Sequence, residues 1–190
     1  MMKLSSKKAL EFLENAKGKT KTDAWIKHSI CVGNVSGKIA KELKLDEDKA
    51  KALGYIHDIG KAIGPFHKHV ENGYKYLKEL GYDEETANIC LVHPYLNNDI
   101  NCTAVSSPND KKLEKFIKEH KYTMYEKIIN LADLLCTDKI CTIEERLGDI
   151  YSRYGIFENS NYHKKELYKI KKHFDDLLGF DLYELILEKK

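Results

Sequence analysis

Apolar residues recur along this chain at three- and four-residue intervals, and no stretch sustains the two-residue alternation of a half-buried strand. The pattern predicts an all-α fold. A first helix is expected from about Ser5 to Ala16, with Gly18 beyond its end. A second opens near Asp23 as cap, carries Trp25, Val32, Val35 and Ile39 on one stripe, and ends near Leu43. His28 falls on that stripe. A third opens at Asp46, with Glu47 and Asp48 placed where acidic charge favours a helix start. It runs through Leu53 to His57, and Gly60 then lets the chain turn away.

Beyond Pro65, residues His69, Val70, Gly73, Tyr74, Leu77 and Leu80 occupy neighbouring helical rows, and Gly81 supplies a stop. The next helix begins at Asp83, carries Ala87, Cys90 and Leu91, and reaches His93 before Pro94 ends it. From Tyr95 to Asp110 the sequence is polar, with Asn97, Asn98, Asn101, Ser106 and Ser107, and has no clear period. A loop this long is a candidate lid or substrate element, with disorder the alternative. Capping boxes at Thr123 to Glu126 and at Thr142 to Glu145 then start two more helices, the second stopping at Gly155. A basic helix with a Leu167, Ile170, Phe174 and Leu177 stripe follows, near Asn161 to Leu178, and a short amphipathic tail begins at Asp181.

Composition narrows the class. At 190 residues, with 42% hydrophobic against 33% charged residues, the chain is expected to form a single compact helical domain, residues 1–190. Lys and Arg number 32 against 30 Asp and Glu, a net charge of +2, so no basic stripe announces nucleic acid as a partner. No apolar run approaches the roughly 20 residues needed to span a bilayer, and the first residues lack a signal-peptide core. A cytoplasmic protein without membrane contact is expected. The five cysteines include no CxxC pair, and Cys31, Cys90 and Cys136 sit in apolar helical patterns, which reads as reduced, buried thiols.

The candidate chemistry lies in histidine and aspartate. His57 and Asp58 are adjacent at a helix end, in the run His57-Asp58-Ile59-Gly60-Lys61. His28 lies upstream, and His67, His69 and His93 lie downstream. Asp133 interrupts the apolar run from Ile128 to Leu135, where an ionised carboxylate needs either a partner or the polar side of the helix. Imidazole with carboxylate suits a divalent transition metal (Fe, Mn, Zn, Co or Ni) better than Ca or Mg. His120, His163 and His173 stand in Lys-rich surroundings and are expected on the surface.

The ordered set His28, His57-Asp58 and Asp133, with His69 ahead of Gly73-Tyr74 and with His93-Pro94, resembles the HD superfamily of metal-dependent phosphohydrolases, named for its His-Asp pair. The likeness covers about residues 27–154 and leaves 155–190 as a helical extension. It implies an HD-type fold with the metal site among helix ends. It further implies that His28, His57, Asp58 and Asp133 hold one ion, that His69 and His93 complete a second site where two ions are used, and that Asp58 bridges them. His67, two residues from His69, cannot share its helix face and is a candidate for the substrate mouth.

Such a site acidifies a water and holds phosphate oxygens, so Asp58 and Lys61 are the expected catalytic residues, Lys61 as phosphate contact. Arg146 and Arg153 are read as ion-pair partners of Glu144, Glu145 or Asp149, with substrate contact the alternative. The expected substrate is a small phosphorylated metabolite, a nucleotide before others. The same ligands would also serve a di-iron oxygenase on an HD-like scaffold, or a non-catalytic module that senses a metal or a nucleotide.

Overall fold

The computed structural model describes residues 2–104 and 107–187, so Ser106 of the long loop lies outside the described residues. Ten α-helices are formed among them, and no strand. They are α1 (Ser6–Ala16), α2 (Ala24–Glu42), α3 (Glu47–Ile56), α4 (His69–Glu79), α5 (Glu84–Val92), α6 (Lys111–Glu119), α7 (Met124–Asp133), α8 (Ile143–Tyr154), α9 (Ser160–Leu178) and α10 (Leu182–Ile186). Two 3-10 turns, Ile59–Ala62 and Phe66–Lys68, join α3 to α4. No helix among the described residues is long and apolar enough to cross a membrane.

Starts and stops follow local chemistry. Asp46, Asp83 and Asp110 each accept a hydrogen bond from a backbone N–H two or three residues on, satisfying donors that a helix start leaves unpaired. Thr123 with Glu126, and Thr142 with Glu145, form both capping boxes. Gly18, Gly81, Gly155 and Gly179 take positive φ just past helix ends. Helix α6 is absent from the sequence expectations, although Asp110 with Leu113, Phe116 and Ile117 carries the cap and the spacing of an amphipathic helix.

Helix α2 packs on α3 and α7, α4 on α5, α1 on α3, and α9 on α7. One apolar cluster runs from Leu4 to Ile186 and takes in Phe174 and Leu182 of the last two helices. Two close approaches set its geometry. A Cβ on Gly54 would lie 2.6 Å from the Cα of Gly33, so α2 and α3 cross backbone against backbone. A Cβ on Gly60 would lie 1.9 Å from the carbonyl oxygen of His69 and 2.5 Å from the nitrogen of Gly73. Gly60 therefore serves close contact between the turn after α3 and the start of α4. Its backbone does not take the left-handed form that a chain reversal at this glycine implies.

The segment after α5 also departs from the lid expectation. Tyr95, Leu96, Ile100 and Cys102 are buried, and the nitrogen of Leu96 donates to the carbonyl of Cys102. Asn97 and Asn98 adopt positive φ, and their side-chain amides donate to the Tyr162 hydroxyl and to the carbonyls of Ile117 and His120. These asparagines tie α6 and α9 together, which is structural work rather than the work of a gate.

Candidate metal centre

Five of the six candidate ligands stand at or next to helix ends. His57 follows the last residue of α3, and Asp58 comes next. His69 opens α4, His93 follows α5, and Asp133 is the last residue of α7. His28 comes from the second turn of α2. The C-terminal ends of α3, α5 and α7 therefore meet, and their partial negative charge favours a cation between them.

Helix ends also orient the rings. The last carbonyls of a helix lack intrahelical donors, and histidine can supply one. His57 Nδ1 donates to the carbonyl of Gly54 at 2.7 Å, and His93 Nδ1 to that of Cys90 at 3.0 Å. His69 Nδ1 donates to the carbonyl of Phe66 at 2.9 Å. In each case the proton is held at Nδ1, which leaves Nε2 a bare lone pair aimed inward.

Those Nε2 atoms converge on the two carboxylates. His69 Nε2 and His93 Nε2 lie 3.4 Å and 3.5 Å from Asp58 Oδ1, and His57 Nε2 lies 3.5 Å from Asp58 Oδ2. His28 Nε2 lies 2.8 Å from Asp133 Oδ1, and His57 Nε2 is 3.9 Å from the same oxygen. The structure thus brings all six predicted residues together. Lys61 joins them, its ammonium paired with Asp58 Oδ2. His67 does not, being exposed on the turn ahead of α4.

The cluster is deeply buried, with His57 at 0% and Asp58 at 1% exposure. Burial pushes the His57 and His69 imidazoles down from their ordinary range and takes His93 to about 3, so all three stay neutral at physiological pH. Burial works the other way on Asp58, but Lys61 and the histidines outweigh it and hold the carboxyl well below the carboxylate range. Burial likewise opposes the Asp133 charge, and the hydrogen bond from His28 wins. Two carboxylates therefore face one ammonium, a net negative charge in a water-poor site.

This arrangement fits a divalent ion. His57 Nε2 and Asp58 Oδ1 are buried with no hydrogen-bond partner, a costly state for polar atoms that a metal-coordinating role relieves. Donor atoms of His28, His57 and Asp133, and of His57, Asp58 and His93, lie within 4.8 Å of one another. Imidazole nitrogen with carboxylate oxygen is a transition-metal donor set.

Residues around the ligands include some that sequence reasoning passed over. Asn130, one turn before Asp133, donates from its amide to the carbonyls of Val92 at 3.0 Å and His93 at 2.8 Å, pinning the end of α5 to α7. A polar residue inside the run Ile128-Ile129-Asn130-Leu131-Ala132 was the available signal. Arg146 Nε reaches the carbonyl of Asp133 at 3.4 Å and pairs with Asp149, as Arg153 also does.

Two surface expectations for histidine fail. His120 is largely covered and bonds Glu126 at 2.9 Å. His163 is fully buried, one turn before Leu167 on the apolar stripe of α9. His173 is exposed, and all five cysteines are buried.

The chain belongs to the HD domain family, whose pattern it matches over residues 25–138. Ribonuclease Y of Mycoplasmoides gallisepticum is 29% identical over 157 residues, covering 82% of this chain and 26% of that protein. Ribonuclease Y of Fervidobacterium nodosum is 41% identical over 70 residues, 35% of this chain and 13% of that one. The chain thus spans about a quarter or less of these relatives. In three dimensions it resembles the HD domain of the L. monocytogenes phosphodiesterase PgpH solved with cyclic-di-AMP, with TM-score 0.51, 16% identity, and coverage of 95% of this chain and 99% of that one.

Proposed function

We propose that this protein hydrolyses a phosphoester or phosphoanhydride of a nucleotide, using one or two divalent ions held by His28, His57, Asp58, His69, His93 and Asp133. The observation that carries the reading is the convergence on Asp58, which faces His57 with one oxygen and His69 and His93 with the other. That makes Asp58 the residue common to both halves of the donor set. Fe, Mn, Zn, Co and Ni all suit the donors.

When bound, a divalent ion would supply Lewis-acid polarisation of the phosphoryl group and a more acidic water. The chain's own residues do the rest. The Nε2 lone pairs of His57, His69 and His93, fixed by the Nδ1 hydrogen bonds, are ready to coordinate without losing a proton. The Lys61 ammonium, on the turn after α3, offers a point charge to the phosphate oxygens, on which negative charge accumulates during in-line attack. Burial of the cluster keeps bulk water from screening that charge.

Nucleotide substrates are favoured by the kinds of relative found: one solved neighbour carries cyclic-di-AMP, and the sequence relatives are named as ribonucleases. The second fact makes an RNA strand a specific rival to a small nucleotide, despite the near-neutral net charge of +2. Buried thiols support a reducing, cytoplasmic setting.

The test is a panel of mononucleotides, cyclic dinucleotides, short RNA and a generic aryl phosphodiester, offered to protein loaded with Mn or Fe. Release of phosphate or nucleotide products supports the reading. Oxygen consumption without hydrolysis would replace it with the oxygenase, and tight binding without turnover with a sensor.

A further inference from the structure

Phe66 is 57% exposed, on the turn between the His-Asp pair and α4. Single exposed apolar residues are ordinary on protein surfaces, but this one has particular neighbours. The Lys61 ammonium lies over its ring, 4.9 Å from the centroid, and the His69 ring stands 5.8 Å away at a 37° tilt. Both neighbours face Asp58. The Phe66 carbonyl also accepts the hydrogen bond that orients His69. The residue therefore stands at the rim of the candidate metal centre, one face of its ring toward the ammonium offered to phosphate and more than half of the residue open to solvent.

A ring in this position suits a flat, apolar, polarisable group joined to a phosphate. The separation from Lys61 is one that a nucleotide spans between its base and its phosphate. Ile63 and Pro65, on the same connection between α3 and α4, are exposed apolar residues as well. Proline restricts the backbone immediately before Phe66, which limits the entropy lost when the ring is covered.

We propose that Phe66 is the stacking surface for a nucleobase of the substrate and sets the preference for base-bearing phosphoesters over base-free ones. This rests on the phosphohydrolase reading above. Stacking a base on an aromatic side chain is worth about 5- to 150-fold in affinity.

The experiment replaces Phe66 by Trp and reads fluorescence in the metal-loaded protein, with the wild type, whose one tryptophan is the buried Trp25, as background. AMP should quench the added indole, and ribose 5-phosphate should not. An RNA hexamer that quenches where AMP does not would assign the base to a strand instead of a free nucleotide. In parallel, Phe66→Ala should lower the kcat/KM preference for the base-bearing ester over ribose 5-phosphate by about 5- to 150-fold, and Phe66→Tyr should restore it.

Equal quenching by ribose 5-phosphate, or an equal loss of Phe66→Ala activity on both esters, would overturn the proposal and reduce Phe66 to a support for Lys61 and His69. Turnover of nucleotides with no quenching would overturn the stacking role and leave the hydrolase reading standing. Quenching by AMP in a protein that cleaves no phosphoester would do the reverse.

Discussion

His28 and Asp133 lie 105 positions apart in the chain, and their side chains meet at 2.8 Å. The contact joins the second turn of α2 to the last residue of α7, so it reports whether those helices are docked as well as whether the site is assembled. Asp133→Ala and His28→Ala should each weaken metal binding by more than the 10- to 100-fold, roughly, that loss of a supporting hydrogen-bond partner costs a metal site. Combined, they should fall well short of the product of the single effects, because each already removes the shared contact. Metal affinity measured across the four proteins checks this; independent effects would place the two residues in separate roles.

Lys61 pairs with Asp58. Lys61→Met should lower kcat by about 10²- to 10³-fold, the range seen when one preorganised charge-stabilising donor is removed. Metal content should hold, since no donor atom is lost. Steady-state kinetics with elemental analysis of the same sample decides it, and unchanged kcat would make Lys61 only a counter-ion.

Gly60→Ala tests the close crossing after α3. Its methyl would press on the carbonyl of His69. Overpacking of this kind costs about 1–3 kcal/mol, to be read as a fall in the urea midpoint, and the displaced His69 should weaken metal binding as well. Wild-type stability would mean that the turn relaxes freely.

His163 is not itself a candidate ligand, and it gives a pH dependence set mainly by burial, with the Asp133 carboxylate acting against it. Burial lowers its pKa from 6.5 to about 4, and neither ring nitrogen has a hydrogen-bond partner. The unfolded chain therefore takes up a proton that the folded chain refuses. Stability from this residue is complete above pH 6.5 and is lost as pH falls toward 4. Between pH 7.5 and 5 the loss is about 2 kcal/mol. His163→Leu should show a shallower fall in urea-unfolding free energy over that interval, the contribution of the other histidines being common to both proteins. Parallel curves would mean that His163 is protonated in the folded state.

Much of this molecule could be read from its residues, for identifiable reasons. Helix starts were legible where a cap and an apolar stripe coincide, as at Asp46, Asp83, Thr123 and Thr142, because both signals are local. That these histidines and aspartates come together was legible because their order along the chain resembles the HD pattern, which the chain matches over residues 25–138. What escaped depended on tertiary partners. Asn97 and Asn98 look like solvated loop residues until the carbonyls at the end of α6 are placed beside one of them. His163 looks solvated among lysines, although its spacing to Leu167, Ile170 and Phe174 puts it on the buried stripe. Phe66 carried no periodic signal, and only its contacts with Lys61 and His69 set it apart.

We propose, above all, that Asp58 organises a divalent-metal centre that cleaves phosphoesters. Calorimetric titration of chelator-stripped protein with Mn²⁺, run beside Asp58→Ala and followed by an assay of phosphoester cleavage, tests it most directly. One or two bound ions, and activity that returns with them, are expected in the wild type, with loss of most binding and all turnover in the variant. Metal binding and hydrolysis that survive Asp58→Ala, or wild-type protein that takes up no ion, would contradict it.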